Sequence, residues 1–536
     1  MKNISNSTTH RRLASLTLTS CALAWILVGS GCATYTQQTA QFTQATRSGS
    51  LAEAVMQIDR QVEANVGKKD ELLLRLEQGA TLLAASMADP EMVSPPPVAL
   101  PAEAVAPTLD ENGQPIVAEP VVPTPEEVHA YYYTRSIQAF DEAETKVNEW
   151  EEEAKVKVGS EIGAAISNQA NLPYRGRSYD KVMMNAYKAL SYLALGEKDK
   201  ARVELNRSLE RQRDAVSANE KRISAAQEEV ELARQGKLKD EEGKSASYDS
   251  NKAMNDPKTG PLLQSTLDAS LAPMKAYGDY VNPFAVFMDG LFYTVLGEGG
   301  SDWERGRKSF ERVASMVPEN TYVATDLEAA TMAAKGKAPE NVTYVIFETG
   351  TAPTRDQTRI DIPTYLVTSK LAYVGASFPK LVYNDSYIPT LGVAVGESIV
   401  YTSTVASMDS VIANDFKNEW PLVVTKTLIT TATKAIIQSV VQKQAEDRGG
   451  MWAGLAAGLI MGGINSATNI ADTRTWNSLP KEFQYARIAT PANRELTISA
   501  GGTQKTITVE PGSVNVVYVK SASPSAPLYV SQFALK

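Results

Sequence analysis

The hydrophobic pattern of this chain changes from helical to alternating near residue 338, and this change constrains the fold more than any other feature. Before it, apolar residues recur at helical spacing through most of residues 33–335. After it, the run at 342–347 (VTYVIF) alternates and is rich in β-branched residues. The sequence therefore predicts an α + α/β multidomain chain, with a helical domain at 32–338 and an α+β domain at 339–536.

Two segments of the helical part resemble each other. Residues 178–213 and 282–317 each contain an apolar helix, a glycine-containing turn and a second amphipathic helix. The turn glycines, Gly196 and Gly297, lie 101 residues apart, which is close to three repeats of about 34 residues. The pattern resembles tetratricopeptide-type hairpins and predicts an irregular stack in which neighbouring hairpins share one core.

A proline-rich segment interrupts this helical region. Residues 90–125 contain ten prolines, with Val, Ala and Glu between them. Such a composition favours extended chain, so we expect a disordered insert at 90–125. The insert is either a tolerated loop or a functional segment, namely a spacer or a ligand for a periplasmic partner.

The N-terminus has the three parts of a secretory signal peptide. Basic residues precede an apolar run at 22–28, and small residues at 29–31 precede Cys32. A cysteine at the cleavage point is similar to bacterial lipoprotein signals, although Gly29 stands where those signals usually have leucine. We therefore expect a signal peptide at 1–31 and lipidation of Cys32. The alternative is an ordinary secretory signal with an incidental cysteine.

The predicted anchor also indicates a location. The apolar run is well short of the roughly 20 residues that span a bilayer, whereas several acyl chains on one cysteine anchor a protein stably. Ala33, rather than Asp, follows the cysteine. By resemblance to Gram-negative sorting rules, this favours the outer membrane, with the protein facing the periplasm.

Composition limits the chemistry that the mature chain can perform. Cys21 and Cys32 are the two cysteines, and His129 is the one histidine beyond the signal. The net charge is −9, and removing Lys2, Arg11 and Arg12 with the signal makes it three units more negative, −12. An acidic chain is a poor partner for nucleic acid. No phosphate loop, metal spacing or dinucleotide fingerprint is present, so we predict no cofactor, no metal and no catalytic residue.

A glycine stripe is the main candidate for an interaction site. Gly450, Gly454, Gly458 and Gly462 are four residues apart, with Trp452 between the first two. On a helix at 450–463 they allow another helix to approach closely. The apolar run is too short to cross a bilayer. The stripe therefore either packs inside the C-terminal domain or contacts a partner chain or the membrane.

The loop at 471–480 (ADTRTWNSLP) is the second notable motif. We expect Arg474 to pair with Asp415 or Asp472, and Trp476 to cap a core. A structural role is favoured over a catalytic one.

Four motifs together resemble a family of uncharacterised bacterial outer-membrane lipoproteins with tetratricopeptide-like repeats. The motifs are GCATY at 31–35, the segment at 174–196 that contains YRG and YKAL, NPF at 282–284, and the 471–480 loop. The resemblance also implies that genes of this family lie near genes for lipoprotein activators of penicillin-binding proteins. The resemblance implies a lipid-anchored, periplasm-facing scaffold or adaptor that binds a protein partner in envelope or peptidoglycan assembly. The alternative is a cell-wall enzyme that uses carboxylates alone.

Overall fold

A computed structural model describes residues 35–97, 123–156, 170, 172–234, 248–275, 277, 282–366, 372–468 and 470–536. The predicted signal peptide and Cys32 lie outside the described residues, as does the central part of the predicted insert, residues 98–122.

Helices fill the N-terminal part of the chain. In chain order they are α1 (Tyr35–Gln38), α2 (Ala40–Ser48), α3 (Leu51–Ala64), α4 (Glu71–Ala85), α5 (Pro125–Val156), α6 (Ser178–Ala194), α7 (Lys198–Arg234), α8 (Ser250–Met254), α9 (Gly260–Leu271), α10 (Pro283–Leu296), α11 (Gly300–Met316) and α12 (Thr321–Ala333). A further helix, α13 (Met408–Thr468), lies among the strands of the C-terminal part.

The strands form three sheets. Their bounds are β1 (Val342–Thr349), β2 (Thr354–Pro363), β3 (Tyr373–Val382), β4 (Gly392–Val395), β5 (Ser398–Tyr401), β6 (Ser403–Ser407), β7 (Glu482–Ala489), β8 (Glu495–Ala500), β9 (Thr503–Thr508), β10 (Val514–Ser521) and β11 (Tyr529–Ala534). The five-stranded sheet has the order β11-β10-β1-β7-β6, the four-stranded sheet β5-β4-β8-β9, and β2 pairs with β3. The pair β1–β10 is parallel, and the other pairs of the five-stranded sheet are antiparallel. The mixed helix-and-sheet prediction is therefore confirmed.

The five-stranded sheet lies between the helices and the four-stranded sheet. Side chains of β1 alternate accordingly: Tyr344 and Ile346 join the core shared with the helices, and Val345 and Phe347 join the core shared with the second sheet. Because both faces are covered, every residue of β1 is buried. The larger core is continuous from the N-terminal helices to the sheet, so packing does not separate at the predicted boundary near residue 338.

Aromatic rings fix α10 on this sheet. Phe284 of α10 stacks on Phe483 of β7, with ring centroids 3.8 Å apart and planes 8° apart. Phe287 lies 4.5 Å from the ring of Tyr485 on the same strand. The helix that opens the second predicted hairpin is therefore part of the sheet-facing layer.

Both predicted hairpins are present. In the first, α6 and α7 are joined at Gly196, whose φ of +75° favours glycine. In the second, α10 and α11 approach closely at Gly306, where an added Cβ would lie 2.7 Å from the Thr294 hydroxyl and 2.8 Å from its backbone nitrogen. A larger residue at 306 would push α11 away from α10.

The edges of the proline-rich segment differ from the predicted disordered insert at 90–125. Pro90–Met92 forms a 3-10 turn, and Val93 is buried. The Tyr132 hydroxyl of α5 donates a hydrogen bond to the Ser94 carbonyl at 2.7 Å. Pro125 already begins α5, since proline suits the first turn of a helix. The predicted insert is therefore too long at both ends.

The glycine stripe begins at a break in α13. Gly450 has φ 76° and ψ 179°, which is outside the helical region, and it is exposed. The predicted stripe counted Gly450 as a helical position, which is wrong, because this backbone conformation interrupts the helix. Gly454, Gly458, Gly462 and Trp452 follow on the second part of α13, and their surroundings lie outside what the structure describes. Among the described residues, no helix combines the length and apolar character that a membrane crossing requires.

Candidate binding groove

The 471–480 loop connects the N-terminal helices to the sheet. Arg474 pairs with Asp472 at 2.8 Å and with Asp70 at 3.1 Å, so the predicted Arg474–Asp472 pair is confirmed. The Nε1 of Trp476 donates to the Ser478 hydroxyl at 2.8 Å, and the indole is fully buried, as predicted. Asp415 instead pairs with two other arginines. These contacts hold the fold together and leave the loop covered.

A buried carboxylate, Glu77 of α4, holds the same loop. It accepts hydrogen bonds from the backbone N–H groups of Asn477 at 2.5 Å and Ser478 at 3.0 Å. Burial raises the pKa of Glu77 to about 7. Burial likewise raises the pKa values of Asp180, Asp326 and Asp409 to about 6 each.

These raised pKa values predict a protein that is more stable in mild acid than at alkaline pH. The folded form binds the protons more tightly than the unfolded form, so the stabilisation is complete below the unfolded pKa values of about 4 and is lost as pH rises through 6 and 7. We expect the melting temperature to fall between pH 5.5 and pH 8. Glu77→Gln should flatten the upper part of this decrease, and exposed Glu63→Gln should leave it unchanged. Coincident pH profiles for Glu77→Gln and the wild type would contradict this assignment.

The outer face of the helical layer contains a groove between α7 and α11. Helix α7 buries Ala201 and Leu205, which leaves Asn206 and Arg213 on its outer side. Helix α11 likewise buries Phe310 and Val313. The residues that line the groove are Asn206, Leu209, Glu210, Arg213, Ser301, Glu304, Arg305, Lys308, Ser309 and Arg312, around a volume of about 690 Å³.

Two contacts close one end of this groove. Arg202 of α7 pairs with Asp302 of α11 at 2.8 Å. One turn further on, the Arg305 Nη1 donates to the Asn206 side-chain oxygen at 2.6 Å. From the first contact to the second, the residue numbers increase on both helices, so α7 and α11 run parallel. The groove follows, where residues 209–213 face residues 308–312.

Some charged side chains in the groove have a close ion-pair partner within the protein, and others do not. Arg305 is held by Asp289, with Nε 3.1 Å from Oδ1, and Glu304 is held by Arg307 at 2.7 Å. The Lys308 Nζ lies 4.0 Å from the Glu304 Oε1, at the limit of an ion pair. Arg213 and Arg312 are exposed and have no ion-pair partner within the described parts of the chain. On an acidic protein, this groove therefore presents three cationic groups with weak or absent internal partners.

A smaller depression of about 290 Å³ lies on the other side of α7, beside α5, and is lined by Glu144, Asn148, Arg207, Glu210, Arg211 and Asp214. Buried Lys188 contacts Glu144 at 2.9 Å, Glu204 at 3.0 Å and Asp141 at 2.7 Å. Burial raises the pKa of Glu144, but Lys188 and Arg207 more than offset this and leave the pKa below its ordinary value. A general acid needs a raised pKa, so this depression gives no support to the carboxylate-enzyme alternative.

Sequence reasoning did not identify the groove. It found the helices but predicted no groove between them, because a groove depends on how α7 and α11 are spaced. The spacing of Arg305, Lys308 and Arg312 along one face of α11 is the signal that was available. The Nδ1–H of His129, the one histidine beyond the predicted signal peptide, donates a 2.6 Å hydrogen bond to the Ser86 carbonyl.

Comparisons with protein-family models, with curated proteins and with solved structures find no match to this chain. The groove is therefore interpreted from its own geometry. Among the described residues, no group of three or more His, Cys, Asp or Glu side chains is arranged to hold a metal ion.

Proposed function

We propose that this chain is a lipid-anchored scaffold that faces the periplasm and binds a protein partner through its helical layer. Lipidation at Cys32 would hold it in the outer membrane, and the hairpins α6–α7 and α10–α11 would belong to a tetratricopeptide-like stack. Envelope or peptidoglycan assembly is the setting that the family resemblance implies.

The observation that carries this proposal is the groove between α7 and α11. Surface arginines usually find a carboxylate on their own protein or remain solvated singly. Here Arg213 and Arg312 face each other across one groove of about 690 Å³, a size within the range of ligand-binding clefts. Leu209, one turn before Arg213 on α7, adds apolar surface to the groove. Such a site suits binding of a partner better than catalysis.

Site-specific photocrosslinking in the native cells tests this proposal. A photoreactive amino acid placed at Leu209 or Ser301, both of which line the groove, is expected to give one discrete adduct in full-length protein. The same amino acid at exposed Glu63 on α3 should give none. The Cys32→Ser variant cannot be lipidated, so it should lose both palmitate incorporation and the adduct. Equal labelling from residues 63 and 209, or from no position, would contradict the scaffold proposal.

A further inference from the structure

We infer that the groove between α7 and α11 binds an extended segment of a partner protein that has acidic residues at alternate positions. This inference rests on the proposed scaffold function and adds the chemistry of the partner. It begins from the three cations that the groove presents, which are Arg213 on one wall and Lys308 and Arg312 on the other.

Charge complementarity selects an acidic occupant. Guanidinium groups bind carboxylates through two parallel hydrogen bonds, and they lose less hydration energy than ammonium groups do. The groove acids compete only weakly for these cations, since Glu304 is held by Arg307 at 2.7 Å and lies 4.0 Å from Lys308, and Glu210 forms no ion pair with any residue that the structure describes. The overall charge of −9 shows that a cationic groove is a local exception on this chain.

The spacing of the cations selects an extended segment. Lys308 and Arg312 are four residues apart on α11, so their side chains begin about 6 Å apart along the helix axis. In an extended strand, every second side chain points the same way, at intervals of about 6.6 Å. Two carboxylates in a Glu-x-Glu pattern therefore match the α11 wall, and Arg213 on the opposite wall is placed for a third acidic group.

The groove also has a defined orientation. The Arg202–Asp302 pair and the Arg305–Asn206 hydrogen bond close one end. Beyond Arg312 the helix α11 ends at Met316, whereas α7 continues to Arg234. A bound segment therefore enters from the end where α11 stops, and it lies along α7.

Fluorescence anisotropy with labelled synthetic peptides tests this inference on full-length protein in detergent. The probe is a twelve-residue Gly/Ser peptide with a central Glu-Ala-Glu-Ala-Glu, and the matched control has Gln at the three Glu positions. We expect the Glu peptide to bind at least about tenfold more tightly than the Gln peptide, and added salt to weaken it. Arg312→Gln should reduce its affinity about tenfold, as loss of a charge-assisted hydrogen bond predicts. Exposed Arg60→Gln on α3 should not change it.

The groove cations are exposed, so these variants should fold normally. Equal binding of the Glu and Gln peptides, or an unchanged affinity in Arg312→Gln, would overturn the acidic-segment inference. Competition by inorganic phosphate at the same concentration as the peptide would overturn it too, because any anion would then suffice. If groove crosslinks form in cells while the Glu peptide fails to bind, the scaffold function stands and the acidic partner is refuted.

Discussion

Replacing Trp476 with alanine should lower the free energy of unfolding by about 3–5 kcal/mol, the usual cost of removing a large aromatic side chain from a packed core. The indole is fully buried and packs between two helices. Its ring centroid lies 5.9 Å from that of Phe140 on α5 and 5.9 Å from that of Tyr187 on α6. Its Nε1 hydrogen bond to Ser478 would also be lost. Natural proteins of one domain are stable by only about 5–15 kcal/mol.

Chemical denaturation of the full chain measures this effect. Half-buried Trp150 on α5 supplies the matched control, and Trp150→Ala should cost clearly less. Trp476→Phe should be intermediate, because phenylalanine retains part of the ring volume and loses the hydrogen bond. Equal destabilisation by the alanine variants at 150 and 476 would show that the 471–480 loop does not anchor the helices to the sheet.

The location of Trp476 shows what local sequence can predict and what it cannot. Its burial was predictable, since tryptophan is highly buried on average. The contacts of the loop that contains Trp476 were not predictable. Glu77, for example, accepts hydrogen bonds from the loop residues Asn477 and Ser478, which lie 400 and 401 positions further along the chain. No periodic pattern relates such distant segments. The continuous core between helices and sheet follows from these long-range contacts.

The strands show the same limit. Long alternating runs such as β1 and β10 were evident in the sequence, but their parallel pairing joins Val342 to Val514. Two other strands have no such run. β4 has four residues and begins at Gly392, and the edge strand β11 contains the polar pair Ser531 and Gln532. β4 is too short to show a period and the polar pair interrupts the apolar residues of β11, so their pairing partners determine that they are strands.

For the candidate sites, residue type was informative only where the chemistry is local. The confirmed Arg474–Asp472 pair spans two residues. Cys32 was selected by its immediate neighbours, lies outside the described residues and stays a prediction. The second partner offered for Arg474, Asp415, lies instead in a cluster with Arg177 and Arg355. Nothing in the neighbourhood of Asp415 in the sequence indicates which arginine folds onto it.

That cluster is the basis of the second large effect that we expect. Glu419 completes it, so two arginines face two carboxylates with no net charge. Arg355 lies 3.0 Å from Glu419 and 3.9 Å from Asp415, and Arg177 lies 3.3 Å from Asp415 and also contacts Glu419. The side chains of Arg355 and Asp415 are each 1 % exposed. The cluster joins β2, the start of α6 and two successive turns of α13.

Arg355→Met should destabilise the full chain by about 3–5 kcal/mol, because removing one member of a buried ion pair leaves an uncompensated buried charge. Methionine keeps much of the side-chain volume, so the loss of stability reflects mainly the removal of the positive charge. Arg359→Met is the matched control, since Arg359 is on the same strand and exposed, and it should cost less than about 1 kcal/mol.

The double variant Arg355→Met with Glu419→Gln restores neutrality and should be more stable than the sum of the two single effects predicts. A favourable coupling of this kind is how two contacting residues reveal their interaction in a double-mutant cycle. Urea denaturation of the four proteins at pH 7 measures it. If the single effects simply add, or if Arg355→Met behaves like Arg359→Met, the buried cluster does not contribute to the attachment of β2 to α13. The ring contact between Trp420 of α13 and Phe378 of β3, the strand that pairs with β2, would then carry that attachment.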